Sequence, residues 1–279
     1  MKEFKQKLKN KLSLLFKIKY FFRSIILKNK LDYIEFHVVD SCNLKCKACT
    51  HFANISKENN FIDARILQSR LIRLNKLFTV KRIRLLGGEP LLHPDIINVI
   101  KMTRLFLKYS NIELVTNGLL LNKMPKEFFE MCKIYRIKIV ITLYPVLKNK
   151  EEIEKILSSF KVKYEFSPMT FTFVANLNPN GNSDKEKTFQ NCVHTSCRVL
   201  KDDNIYLCPI SAYIGTYNKY FNKNIPEGKG INIFANSTKE IFEFLKKPEE
   251  TCKYCTNLMN YLDWDCSTNP QETDWFGKI

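Results

Sequence analysis

Cys42-Asn43-Leu44-Lys45-Cys46-Lys47-Ala48-Cys49 is the stretch around which the rest of the chain is arranged. Three thiols separated by three and two residues share one short loop, and so tight a spacing lets the loop wrap one face of a single soft metal centre. A closed structural zinc site takes four ligands, so three cysteines leave one position free. His51, just past the last of them, could close a zinc site, and spacing alone leaves that alternative standing. The loop follows residues 33–39, where Ile34, Phe36 and Val38 alternate with Tyr33, Glu35 and His37, a period that predicts a β-strand ending at the cysteines.

Working outward, Asp63 can cap a helix in which Ile66, Leu67, Leu71, Leu74 and Leu77 recur at helical spacing. Residues 80–86 read as a second strand running into Gly87-Gly88, where the backbone can approach a ligand with no Cβ in the way. Helices at 94–105, 125–135 and 151–160 then alternate with strands at 111–116 and 138–143, and short strands follow at 162–166 and 171–175. Cys132, among Phe128, Phe129 and Met131, reads as a buried core thiol. Strand–helix alternation of this kind predicts parallel βα units, and six strands suggest an α/β fold, a partial (β/α)6 TIM-like barrel. Chemistry then belongs at the carboxyl ends of the strands, where Cys42, Glu89, Asn117 and Tyr144 fall.

The CxxxCxxC spacing, together with Leu85-Leu86-Gly87-Gly88-Glu89-Pro90, Val115-Thr116-Asn117-Gly118 and Ile141-Thr142-Leu143-Tyr144, resembles the signature of the radical S-adenosylmethionine (radical SAM) superfamily over residues 33–175. The resemblance implies a 4Fe-4S cluster on Cys42, Cys46 and Cys49, with SAM on its open iron. It further implies that Gly87, Gly88 and Glu89 position the methionyl part of SAM, that Thr116, Asn117 and Thr142 meet its carboxylate or ribose, and that Tyr144 faces the substrate. Reductive cleavage in the family gives methionine and a 5′-deoxyadenosyl radical, with the electron from an external donor such as flavodoxin or ferredoxin. Ala48 stands where many members carry an aromatic residue, which weakens the adenine assignment more than that of the cluster. His93, before Pro94, reads as a helix-start residue.

From Asn176 to Lys187 the composition turns to Asn, Pro, Gly, Ser and Lys, marking a linker, and cysteines return beyond it. Cys192, Cys197, the hairpin-like run to Cys208, and Cys252-Lys253-Tyr254-Cys255 resemble the short C-terminal extension called SPASM or twitch, although Asp203 stands where the family pattern has Gly. That likeness implies one auxiliary 4Fe-4S cluster on Cys208, Cys252 and Cys255, with Cys192 or Cys197 as fourth ligand. A zinc hairpin on the same residues is the alternative. Cys266, or the unused member of the Cys192 and Cys197 pair, is structural or a hydrogen-atom donor. The expected domains are a basic segment at 1–30, the barrel at 31–188 and the cluster-binding extension at 189–279.

The 279 residues, 45% apolar and 26% charged, suit one folded domain with a small appendage. Ten cysteines with no secretory signal argue for a reducing, cytoplasmic setting and metal binding over disulfides. The net charge of +17 is concentrated at the start, where residues 1–30 hold ten Lys or Arg against Glu3, threaded with Phe4, Leu8, Leu12 and Phe16. One reading is an amphipathic segment in peripheral contact with the anionic inner membrane face; the other is a helix packed on the barrel or a poorly ordered terminus. No nucleic-acid motif accompanies the charge. The resemblance leaves three functions: dehydrogenation or epimerisation of a carbohydrate-type substrate, peptide maturation (which the want of a leader-binding domain disfavours), or passive electron transfer, which would need no SAM-binding strand.

Overall fold

The structure, a computed structural model, describes residues 29–57, 60–266 and 269–278. The membrane-contact reading of the basic segment falls on residues that lie almost wholly outside these. Five strands, β1 (Asn29–Val39), β2 (Phe78–Gly87), β3 (Asn111–Thr116), β4 (Lys138–Ile141) and β5 (Lys163–Phe166), lie parallel side by side in chain order. Helices α1 (Ala64–Leu77), α2 (Ile96–Phe106), α3 (Lys126–Ile134) and α4 (Lys150–Ser159) connect them. Asp63 caps α1 as its position predicts, its Oδ1 accepting the N–H groups of Arg65 at 2.7 Å and Ile66 at 3.3 Å.

The period-two alternation sorts the strands' faces. Ile34, Phe36 and Val38 of β1, Ile83 and Leu85 of β2, Ile112 and Leu114 of β3, and Ile139 and Ile141 of β4 join Leu67, Leu71, Val99, Ile100 and Phe128 in one buried core. Cys132 belongs to it. The opposite sheet face is polar: Tyr33 and Glu35 of β1, Arg84 of β2 and Glu113 of β3, with Arg84 Nε 2.8 Å from Glu113 Oε2. The α/β partial barrel is therefore present, and its helices cover one sheet face while polar groups occupy the other.

Its sixth strand does not sit where the reading puts it. A parallel neighbour for β5 needs a crossover of about a dozen residues, and only residues 167–171 separate β5 from β6 (Thr172–Leu177). β6 instead pairs antiparallel with β10 (Cys255–Asp263), Phe173 opposite Leu262 and Val174 opposite Tyr261. The sheet grows from its other edge, where β7 (Val199–Lys201) pairs parallel with β1, and β8 (Asn204–Tyr206) and β9 (Ile231–Asn232) follow antiparallel. The linker at 176–187 thus marks a change of composition, while residues on both sides of it share one sheet.

Three further helices, α5 (Lys185–Gln190), α6 (Pro209–Phe221) and α7 (Thr238–Phe244), complete the α-helices among the described residues. A second core gathers Ile210, Ile214 and Tyr217 of α6, Leu177 of β6 and Trp275 around Phe52 and Ile55, which follow the cysteine loop. The loop is therefore held from both sides. Among the described residues no helix is long and apolar enough to cross a membrane.

Candidate active site

The carboxyl ends of β1 to β4 surround a cavity of about 390 Å3, lined by Cys42, Cys46, Cys49, Gly87, Gly88, Glu89, Thr116, Asn117, Thr142 and Tyr144. Residues spread over a hundred positions of sequence meet here because parallel strands deliver all their carboxyl ends to one rim.

The cysteine loop curls through left-handed turns at Ala48 (φ 53°) and Phe52 (φ 54°), on either side of Cys49. Backbone N–H groups of His51, Phe52, Ala53 and Asn54 are directed at the Cys49 sulfur, and Leu44 N–H donates to Cys42 Sγ at 3.4 Å. Burial pushes the Cys42 thiol up to about 12 and raises Cys46 and Cys49 as well, Cys42 and Cys46 also feeling the neighbouring cysteines. Such thiols ionise when a metal takes them, and N–H groups already aimed at the sulfurs then meet a full acceptor. The donor set fits a 4Fe-4S cluster. The zinc alternative loses its fourth ligand: His51 Nδ1 lies 2.7 Å from His37 Nε2, and its Nε2 faces Glu35 Oε2 at 3.9 Å. Both ring nitrogens are thereby turned to β1.

The two glycines serve the chain itself. Gly88 N–H donates to Val39 O and Glu89 N–H to Ser41 O, each at 2.9 Å. A Cβ on Gly88 would lie 2.0 Å from Ser41 O, and one on Gly87, at φ 151°, 2.2 Å from Val39 O. The close approach that the structure shows is to the chain that enters the cysteine loop, and both glycines also line the cavity. Glu89 is 1% exposed. Its Oε1 accepts Thr116 Oγ1–H at 2.6 Å and Leu91 N–H at 3.1 Å, and its Oε2 accepts Asn117 N–H at 2.8 Å. Burial raises its pKa to about 7 against the pull of those three donors. Glu89 therefore ties the end of β2 to the end of β3. Asn117 reaches the loop, its Nδ2 donating to Asn43 Oδ1 at 2.7 Å and lying 3.9 Å from Cys42 Sγ. Asn43 escaped the sequence reading, although its place beside the first cysteine could have marked it.

His93 fits its reading as a helix-start residue, its Nδ1 accepting Asp95 N–H at 3.0 Å. The cavity's outer lip is aromatic. Tyr144 stacks on Trp264 with ring centroids 5.3 Å apart and meets Phe173 edge-on at 5.9 Å. Trp264 is carried there because Lys47 N–H donates to Asp265 O at 3.0 Å and the backbone at Cys266 pairs antiparallel with that at Cys46, both thiols remaining free. Cys266 thus abuts a loop cysteine and contributes nothing to the cavity lining.

A second cysteine group surrounds an apolar pocket lined by Cys192, Cys208, Cys252 and Cys255. Each thiol is raised by burial, and Cys208, Cys252 and Cys255 also feel others of the set. Cys208 caps α6, where Ser211 N–H donates to its Sγ at 3.4 Å, and Cys192 Sγ accepts His194 N–H at 3.3 Å. Four sulfurs, two with N–H donors and one at a helix N-terminus that favours negative charge, fit a second cluster. Cys197 is placed elsewhere, in a cavity with Tyr33, Arg84, Glu113 and Arg198. His194 lines both the first cavity and this pocket, forming part of the wall between them.

Residues 34–164 match the family described as a 4Fe-4S single cluster domain. A GTP 3′,8-cyclase of Clostridium perfringens (strain 13 / Type A) is 33% identical over 232 residues, covering 79% of this chain and 64% of the relative. One of Trichodesmium erythraeum (strain IMS101) is 29% identical over 166 residues, covering 52% of this chain and 48% of the relative. The chain thus spans about half to two thirds of these relatives' length. The crystal structure of BtrN in complex with AdoMet and 2-DOIA superposes with a TM-score of 0.52 at 19% identity, covering 83% of this chain and 95% of BtrN. Three cysteines thus face a Gly-Gly-Glu-Pro turn across one cavity, as the resemblance to the radical SAM superfamily implies, and both features lie within the residues that match the 4Fe-4S single cluster family.

Proposed function

We propose that this chain is a radical SAM oxidoreductase that dehydrogenates a hydroxyl-bearing carbon of a carbohydrate-type substrate. Cys42, Cys46 and Cys49 hold the SAM-binding 4Fe-4S cluster, and Cys192, Cys208, Cys252 and Cys255 hold an auxiliary one. When these groups are bound and an external donor of the flavodoxin or ferredoxin class supplies an electron, SAM is cleaved to methionine and a 5′-deoxyadenosyl radical that takes a substrate hydrogen atom, and the substrate radical passes one electron on and loses a proton to give a carbonyl. The protein orients the reactants and shields them from water.

Thr116 and Glu89 lock the strand ends, Asn117 and Thr142 present polar groups to the methionyl and ribose parts of SAM, and Tyr144, Trp264 and Phe173 close the substrate side. The observation that carries the reading is the pairing of the two cysteine groups about His194, which lines both the cavity beside the first and the pocket of the second, so that the second group is the candidate acceptor of the second electron. An epimerase would need a hydrogen donor at the substrate, and of the thiols read as spare neither Cys266 nor Cys197 is among the residues that line the cavity, which favours dehydrogenation. The relatives' names suggest a nucleoside triphosphate, but among the described residues no Lys or Arg lines the cavity to meet phosphates.

The test is anaerobic reconstitution with iron and sulfide, reduction by dithionite, addition of SAM, and quantification of 5′-deoxyadenosine beside Cys42→Ala. Wild-type protein is expected to form it and the variant to form none. Equal yields from both would sink the assignment.

A further inference from the structure

The proposed chemistry leaves Cys266 unused, yet the fold sets it against a residue on which that chemistry depends. Lys47 N–H donates to Asp265 O at 3.0 Å, and residues 46 and 266 form an isolated antiparallel bridge. That hydrogen bond runs from the residue after Cys46 to the residue before Cys266. Cys46 and Cys266 are therefore directly opposite each other at a position that is not itself hydrogen-bonded. In an antiparallel pair such positions bring the two Cα atoms to about 4.5 Å, with both side chains on one face. A disulfide spans Cα separations of about 4.4–6.8 Å, so the backbone already holds these two thiols within bonding reach.

The junction is held by more than one contact. Lys47 Nζ lies 3.2 Å from Asp265 Oδ2, and the neighbouring Trp264 stacks on Tyr144. The thiols also sense each other: of the cysteines around Cys46, Cys266 raises it most, ahead of Cys49 and Cys42. The other two loop sulfurs are engaged by backbone, Cys42 by Leu44 N–H and Cys49 by the N–H groups of residues 51–54. Exposure divides the pair. Cys46 is buried while Cys266 is only partly so, and an oxidant arriving from solvent meets Cys266 first.

We propose that Cys46 and Cys266 are a redox pair, whose disulfide shelters the cluster ligand Cys46 in a reducible form when oxidant has stripped the cluster. Hydrogen peroxide transfers one oxygen to the Cys266 sulfur, giving a sulfenic acid and water. The Cys46 sulfur then attacks that sulfur, the S–S bond forms, and the oxygen leaves as a second water. The two thiols give up two electrons, which cleave the peroxide O–O bond, and two protons, which end in the waters. A dithiol reductant reverses the step and frees Cys46 to ligate iron again. Unpaired, Cys46 passes through its own sulfenic acid to the sulfinic acid, which thiol reductants do not recover. This rests on the assignment of Cys46 to the SAM-binding cluster.

The test treats full-length, cluster-loaded wild type and Cys266→Ser with hydrogen peroxide, blocks free thiols with iodoacetamide, and maps non-reduced peptides by mass spectrometry. Trypsin, cutting after Lys45 and Lys47, and an endoprotease cutting before Asp263 and Asp265 put Cys42, Cys46, Cys49, Cys255 and Cys266 on separate peptides. Iron is counted before peroxide is added, so a failure of cluster binding is read apart from a failure of the cross-link. Wild type is expected to give a Cys46–Cys266 peptide pair that dithiothreitol separates. After reduction and reconstitution with iron and sulfide, wild type is expected to regain its iron and Cys266→Ser about half as much, with sulfinic acid at Cys46 in the variant alone. A wild type that joins Cys46 to Cys42 or Cys49 instead, or that forms no Cys46 cross-link, would overturn the proposal. Equal iron recovery with equal sulfinic acid at Cys46 in both proteins would overturn the sheltering role. The wild-type peptide map needs no variant, and it decides the pairing even where Cys266→Ser is unstable.

Discussion

At the scale of the residue, the site is built from side chains that serve the fold and the chemistry together. Glu89 shows the trade. Its carboxyl is buried with a pKa raised to about 7 from an ordinary 4.5, so the folded chain holds the proton through a window where the unfolded chain has lost it. Stability from this group is therefore greatest below pH 4.5, falls as pH rises through 4.5 to about 7, and stays reduced above that window. The whole change is about 3 kcal/mol. Urea unfolding of cluster-free protein at pH 5 and pH 8 checks it: Glu89→Gln, which does not titrate, is expected to flatten the difference, and identical pH slopes in the two proteins would refute it. The cysteines, Glu89, Thr116 and Asn117 were legible in the sequence because their spacing and place at strand ends carry the signal. Asn43 was not, since its partner Asn117 is brought to it from a remote strand end and leaves no local pattern.

At the scale of the element, one junction governs the loop: the end of β2 against the chain leaving β1. Gly88→Ala forces a Cβ to within 2.0 Å of Ser41 O, an overpacking cost of about 1–3 kcal/mol. The strain falls on the cysteine loop, so iron retention is expected to drop further than the far-UV circular dichroism spectrum changes. Normal iron content with unchanged stability would count against this account. The second cysteine group likewise depends on element placement. Cys208 caps α6 and Cys192 follows α5, so Cys192→Ala is expected to lower iron from roughly eight to roughly four per chain, whereas Cys197→Ala keeps it. Iron lost in the Cys197 variant instead would reverse the ligand assignment. Sequence spacing left these two cysteines equivalent; only the turn between them, which sends Cys197 toward Arg84, separates them.

At the scale of the whole molecule, the C-terminal chain returns to brace the start of the site. Trp275 is 3% exposed, stacks on Phe52 at 5.8 Å between centroids, and donates its indole N–H to Cys49 O at 3.0 Å. Trp275→Ala is expected to cost about 3–5 kcal/mol and to speed loss of the cluster's visible absorbance in air. A variant that unfolds at the wild-type urea midpoint would show the brace to be dispensable. The β6–β10 pair and the backbone pairing of residues 46 and 266 work the same way, closing the late chain over the early loop.

The sequence by itself determined the period of each element, the helices and strands of the first four βα units, and the cysteines that can share a metal centre, because these depend on neighbours along the chain. It did not determine which edge of the sheet grows. That β6 leaves for β10 while β7 joins β1 follows from the crossover length after β5 and from partners remote in sequence. Tertiary structure also decided that Gly87 and Gly88 pack against the protein's own backbone, and that Cys192 and not Cys197 joins the second group. Periodicity reports which face a residue is on, and only packing reports what it meets there.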